Sequence, residues 1–405
     1  MNVYYVVPFF MEATLRFVEG AARLPGVRLA LISQDPLERL PRGLCSVIAA
    51  HWRVDNGIDP AQIAEAARQL ARTIGTPDRI IGSLEQLQVP LAEVRAYFRL
   101  GGLSVEAARN FRDKATMKTV LARAGLPCAR HRLAAGAADA RAFVAEVGLP
   151  VVVKPPAGAG AVNTFRLDDA AELERYLEQH PPSSDRPVLL EEFLQGEEHS
   201  FDAVLIDGRM VWHSISRYRP APLTVLENPW IQWCVLLPRV IDTPEFEDIR
   251  RAGFKALGTL GLDTGMSHME WFRRADGGIA ISEAGARPPG AQFTTLISYA
   301  HDYDFYSAWP RLMIRGEFDA PERRYATGAA YVRGLGGGRV KAIHGLEQAQ
   351  REVGPIVVES QMPKLGSTQP SGYEGAGYVI LRHPETAVVE RGLQRIVETL
   401  RVELG

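Results

Sequence analysis

The sequence predicts an α/β protein that opens with a doubly wound parallel sheet. Val3 to Val7 is an unbroken run of β-branched and aromatic residues, the pattern of a strand buried on both faces. A helical periodicity follows from Glu12 to Arg23, and a second apolar run, Val27 to Ile32, completes a βαβ unit. Ala61 to Ile74 is helical again, and Arg79 to Gly82 reads as a short strand after Thr76-Pro77-Asp78. Strand and helix thus alternate through the first hundred or so residues, and in such sheets ligands sit beyond the carboxyl ends of the strands.

The apolar run at the start reaches Met11, but Pro8 interrupts it, Glu12 closes it and no basic residue precedes it, which suits a strand and not a targeting segment. Further along, Asp113 can cap a helix in which Met117, Val120, Leu121 and Ala124 recur at helical spacing, with Gly125 and Pro127 stopping it. A helix from Asp139 to Val147 leads to a short buried strand, Val151 to Lys154, and then to a loop of small residues, Ala157 to Ala161. A strand beginning at Pro187 runs into Glu191-Glu192-Phe193-Leu194. Ser200 to Ile206 and Met210 to Ser214 are strands joined across Asp207-Gly208, a hairpin signal. From Ala326 on, strands at Gly328 to Val332 and Tyr378 to Leu381 precede a closing helix, Ala387 to Leu400.

Composition narrows the function classes. The 405 residues have room for two or three domains at roughly 150 residues each. With 46 basic and 48 acidic residues the chain has no general electrostatic attraction to nucleic acid or a membrane surface. A hydrophobic fraction of 46% excludes wholesale disorder, and no apolar stretch approaches the ~20 residues of a membrane helix. Cys45, Cys128 and Cys234 are odd in number, far apart and in no metal-binding spacing, so a reducing cytoplasm is expected. The first strand runs into Pro8-Phe9-Phe10-Met11 where a dinucleotide fold would carry Gly-x-Gly-x-x-Gly, and no P-loop occurs.

The segment Met266 to Arg287 is the most informative. Asp276-Gly277, flanked by alternating strands, is a strong hairpin signal. A turn centred between those two residues places Glu270 directly opposite Glu283, on one face, with Cβ atoms roughly 4.5 to 5.5 Å apart. Two buried like charges in that position need compensation, and a divalent cation supplies it; carboxylates alone favour a hard, oxygen-seeking ion such as magnesium, held together with substrate phosphates. A shifted turn, or two glutamates facing solvent or an arginine, is the competing reading. Arg287 shares the parity of Glu283 and can set a guanidinium beside an anion, or make an ordinary ion pair.

Lys154 ends a buried strand just before the small-residue loop, where its side chain can reach a phosphate; the order is opposite to that of a protein kinase, and no His-Arg-Asp or Asp-Phe-Gly follows. Lys114, at a helix start, taken alone is a surface lysine. Their order along the chain says more. Arg-Asp-Lys-Ala-Thr-Met-Lys (112 to 118), Val-Val-Val-Lys-Pro, Glu-Glu-Phe-Leu-x-Gly-x-Glu and the Glu-x-x-x-Arg-Pro-x-Gly strand end together resemble the ATP-grasp superfamily, from about Val3 to Leu400.

That resemblance implies a preceding α/β domain over 1–105, a lid lobe over 106–193 with the glycine-rich loop, and a larger C-terminal lobe over 194–405 carrying the metal and substrate site. By the same resemblance Lys114 and Lys154 contact the ATP phosphates, and the loop with Gly158 and Gly160 covers them. Glu191, Phe193 and Leu194 form the hinge that holds adenine, and Glu198 takes the ribose. Glu270 and Glu283 hold magnesium, with manganese as a substitute, and Arg287 stabilises the acyl phosphate, Arg287 and Lys154 being the catalytic residues. The family often has asparagine two residues after the second glutamate; Gly285 stands there, which bears on the number of metal ions.

The implied reaction activates a carboxylate as an acyl phosphate and joins it to an amine, releasing ADP and phosphate, as in amino acid and dipeptide ligases. The substrate segment is expected between Ser214 and Pro238, with Arg217 or Arg219 binding a carboxylate and Trp230 and Trp233 forming a wall, unless the tryptophans merely pack together. His268 shares the carboxylate face and is either a substrate contact or a structural histidine. The alternatives are a carboxylase-type enzyme acting on bicarbonate, although no biotin-attachment domain is recognisable, and a non-catalytic nucleotide-binding regulator. Partners are small molecules, not nucleic acid or membrane, with a homodimer as the candidate assembly.

Overall fold

A computed structural model describes residues 1–158, 163–228, 231–335, 337–368 and 374–405. Four strands, β1 (Asn2–Val6), β2 (Arg28–Ser33), β3 (Ala50–Arg53) and β4 (Arg79–Ile81), form a parallel sheet in the order β3-β2-β1-β4. The β1 run is apolar throughout because alternate residues enter two cores. Val3, Tyr5 and Val7 pack towards the helix Glu12–Ala22 and Trp309, while Tyr4 and Val6 pack towards the helix Pro60–Ile74. Gly20 lets the helix Glu12–Ala22 approach the helix Phe305–Arg315 that carries Trp309, since a Cβ there would lie 2.4 Å from the Tyr306 carbonyl oxygen. The strand β3 was not expected from sequence: Ala-His-Trp-Arg is short and half exposed, with no apolar run to announce it.

The next four strands, β5 (His131–Ala134), β6 (Val151–Lys154), β7 (Phe165–Leu167) and β8 (Val188–Glu192), form a small antiparallel sheet in the order β5-β8-β6-β7 with its own core around Phe143 and Leu190. The helices before it do not join that core. Phe111, Met117, Leu121 and Leu126 pack instead with Phe201, Trp271 and Ile281 of the large sheet.

The remaining strands are β9 (Gly196–Ile206), β10 (Arg209–Arg219), β11 (Trp233–Leu237), β12 (Gly265–Arg274), β13 (Ile279–Gly285), β14 (Ala326–Val332), β15 (Gly334–Leu335), β16 (Val340–His344), β17 (Val357–Gln361), β18 (Gly377–His383) and β19 (Arg401–Leu404). Eight of them make one sheet in the order β13-β12-β9-β10-β11-β14-β18-β17, and the other three a small sheet, β15-β19-β16. The β9–β10 turn has Asp207 at φ 50° and Gly208 at φ 70°, the left-handed pair that a two-residue hairpin requires. Strand β10 runs five residues beyond the expected Ser214, which shortens the connection to β11. The helix Thr386–Thr399 covers one face, close enough that a Cβ on Gly328 would lie 2.6 Å from Leu393 Cδ1. Among the described residues no helix is long and apolar enough to cross a membrane.

Candidate active site

The β12–β13 hairpin pairs Glu270 with Glu283. The route to that register differs from simple hairpin symmetry. Near the turn Arg273 opposes Ile279, Phe272 opposes Ala280 and Trp271 opposes Ile281, one residue short of a two-residue turn. Ser282 is then the extra residue of a β-bulge that restores the glutamate pair. Its carbonyl accepts a hydrogen bond from Lys118 Nζ at 2.8 Å, a partner from a distant helix that fixes the bulge.

The pair faces a cavity of about 680 Å³ bounded by the small antiparallel sheet, the edge of the large sheet and a residue of the parallel-sheet region, Glu85. Lys114 enters from the helix Lys114–Arg123, which Asp113 caps by accepting the Thr116 N–H at 2.6 Å. Its ammonium donates to Glu283 Oε1 at 2.5 Å and to the Gly158 carbonyl at 3.1 Å. Lys154, at the end of β6, lies 2.9 Å from Glu191 Oε1, and the fully buried Lys118 lies 3.4 Å from the same oxygen.

These charges settle one another unequally. Burial pushes Glu283 up, but Lys114 and Lys154 outweigh it and hold the carboxyl below its usual range. Burial likewise opposes ionisation of Glu191, and Lys118 with Lys154 overcome it. Glu270 is different: burial and the Glu283 charge raise it. Glu198, buried beside it, is raised well above the ordinary value by burial and by Glu270. Glu270 and Glu198 are therefore the two buried carboxyls for which the lysines do not outweigh burial. This suits a divalent cation, although among the described residues no three metal-ligating side chains converge. Two carboxylates completed by water and phosphate oxygens are a donor set that magnesium accepts.

Phe193, Leu194 and Glu198 line the same cavity, as do Gly158, Arg287 and His268. Gly160 and Trp230 lie outside the described residues. Arg287 Nε donates to Glu85 Oε2 at 2.6 Å. His268 Nδ1 donates to the buried Asp202 Oδ1 at 2.6 Å, which leaves Nε2 towards the cavity, 3.5 Å from the Tyr218 hydroxyl and 3.9 Å from Glu270 Oε1. Tyr218, Trp233 and Phe293 form the aromatic wall at this end.

Arg217 and Arg219 are a correction. They do not line this cavity; they line a second one on the other side of the sheet, because successive residues of β10 alternate and Tyr218 takes the inward position. Arg217 pairs with Glu245 at 3.3 Å and Arg219 pairs with Glu390. Glu191 lines the first cavity beside Phe193 and Leu194, with its carboxylate turned towards Lys118 and Lys154.

Lys118, Asp202 and Glu85 were not singled out from sequence. Glu85 had a signal: it lies just past β4, beyond the carboxyl end of a parallel strand. Lys118 is one helical turn after Lys114, a spacing that puts both on one face, but a lysine is seldom fully buried and pattern alone favours solvent.

Comparison with known proteins finds similarity to ATP-dependent ligases. A family model described as the phosphoribosylglycinamide synthetase ATP-grasp (A) domain matches residues 112–216. An L-arginine-specific L-amino acid ligase of Bacillus subtilis is 24% identical over 271 residues, 64% of this chain and 64% of that protein. A D-alanine–D-alanine ligase of Desulforudis audaxviator is 36% identical over 146 residues, 36% of this chain and 43% of that protein. The chain thus spans less than two thirds of either relative. The crystal structure of an L-amino acid ligase from Bacillus licheniformis matches with a TM-score of 0.79 at 19% identity, covering 100% of this chain and 98% of the other, a likeness of fold.

Proposed function

We propose that this chain, whose residues 112–216 match an ATP-grasp family model, is an ATP-grasp enzyme: an ATP-dependent carboxylate–amine ligase acting on an amino acid or another small carboxylic acid. The observation that carries the reading is the Glu270–Glu283 cross-strand pair facing Lys114 and Lys154 in one cavity. In the proposed reaction an oxygen of the substrate carboxylate attacks the γ-phosphorus of ATP, and the bond to the bridging oxygen breaks to release ADP. The amine nitrogen then attacks the acyl carbon, phosphate leaves, and the nitrogen gives up a proton to form the amide.

The chain supplies position and charge, with no covalent nucleophile. Lys114 and Lys154 would bind phosphate oxygens, and Phe193 and Leu194 would hold the base. Glu198 would meet the ribose. Glu270 and Glu283 would hold magnesium, which supplies neutralisation of the transferring phosphoryl group. Arg287, held by Glu85, would orient and stabilise the acyl phosphate. Tyr218, Trp233, Phe293 and His268 would receive the organic part of a substrate. The three unpaired cysteines fit a cytoplasmic enzyme.

The test is incubation with ATP, magnesium and pooled carboxylates and amines, read by mass spectrometry. ADP release that requires both substrates is expected. AMP as the nucleotide product would overturn the acyl-phosphate chemistry, and nucleotide binding without turnover across broad pools would point to a regulator.

A further inference from the structure

The second cavity, about 730 Å³, lies between the face of β10 and β11 opposite the candidate active site and the helix Thr386–Thr399. The sheet contributes Arg217, Arg219, Cys234 and Leu236, which share one face because Arg217 pairs with Leu236 and Arg219 with Cys234. The helix contributes Glu390, Leu393, Gln394 and Val397, the spacing of one helical stripe. The floor is apolar and the rim is cationic. Arg219 and Glu390 neutralise each other at one edge, and Arg217 pairs with Glu245, yet Arg217 Nε is buried with no hydrogen-bond partner among the described residues. Arg401 also lines the cavity. Its guanidinium donates to the Val397 and Leu400 carbonyls, and among the described residues no carboxylate lies within ion-pair distance of it.

An apolar floor with an unbalanced guanidinium at its edge matches one ligand chemistry. We propose that this cavity is a binding site for a small organic anion with an apolar tail, its carboxylate on Arg401 and its tail over Leu236, Leu393 and Val397. The site is separate from the ligation chemistry and does not rest on it. A ligand there would lie directly behind Tyr218 and Trp233, the alternate residues of the same two strands, which gives it a mechanical connection to the aromatic wall of the first cavity.

The test uses octanoate as the probe and isothermal titration calorimetry on the full chain, with no turnover involved, so its failure is distinct from failure of the ligase reading. Saturable binding at one octanoate per chain is expected. It should weaken at least tenfold in Arg401→Glu and be abolished by Val397→Trp, which fills the cavity from a half-buried position; circular dichroism should show both variants folded. Absence of saturable binding, or binding that survives Val397→Trp and so reports the first cavity, overturns the proposal. Sedimentation that shows the wild type dimerising through this face, with Val397→Trp monomeric, assigns the cavity to a second copy and overturns it as well.

Discussion

Glu85 and Arg287, 202 residues apart in sequence, form an ion pair at 2.6 Å inside the candidate active site. The pair occupies the space beside Gly285: a Cβ there would lie 3.3 Å from Glu85 Oε2 and 3.5 Å from Arg287 Cγ. The glycine thus leaves room for a carboxylate from another part of the chain. Glu85→Gln should lower kcat by about 10²-fold, since misplacing a group by roughly an ångström has that cost. Gly285→Asn should act in the same direction by pressing on Glu85. Steady-state ADP release checks both, and full activity in either would detach this ion pair from catalysis.

Glu283→Gln keeps the shape of the hairpin and removes the charge that Lys114 meets at 2.5 Å. Turnover should fall by about 10²-fold or more, with the loss not recovered by excess magnesium. Thermal unfolding of the variant, monitored beside the wild type, distinguishes a lost site from a lost fold.

The alternation along β10 makes a paired prediction. Tyr218→Phe removes a hydroxyl 3.5 Å from His268 Nε2 and should raise KM for the organic substrate by roughly 3- to 10-fold, about the value of one hydrogen bond, with KM for ATP unchanged. Arg217→Ala, on the opposite face, should change both constants less than about twofold. Reversed effects would mean that the strand's faces have been assigned the wrong way round.

Two buried histidines set an acid limit on stability. Burial lowers His199 from 6.5 to about 4, and burial lowers His301 to about 3. Both are therefore neutral in the folded chain at pH values where the unfolded chain protonates them. Their contribution is complete above pH 6.5 and is lost as the pH falls towards about 4. The expected loss is about 1.4 kcal/mol per pH unit for each histidine across that window. Urea unfolding at pH 7.5 and 5.5 measures it, and a double His199→Gln/His301→Gln variant should flatten the profile. An equally steep profile in that variant would place the proton uptake elsewhere.

Local pattern carried the glutamate hairpin and the parallel opening. Glu270, Glu283 and the β1 run were readable because strand periodicity and turn chemistry act within a few residues. Lys118 and Glu85 were not, because each is placed by packing between segments far apart in sequence. The strand β10 shows the intermediate case: its existence was legible, but the side on which Arg217, Tyr218 and Arg219 fall depends on where the sheet puts its cavity.

Anchoring the glutamates at Ser282 separates the tip of the hairpin from its working middle. The alignment of Glu270 with Glu283 is held by a lysine reaching in from another helix, so the count of residues around Asp276 no longer sets it. A residue added at the exposed tip should therefore leave Glu270 and Glu283 in phase.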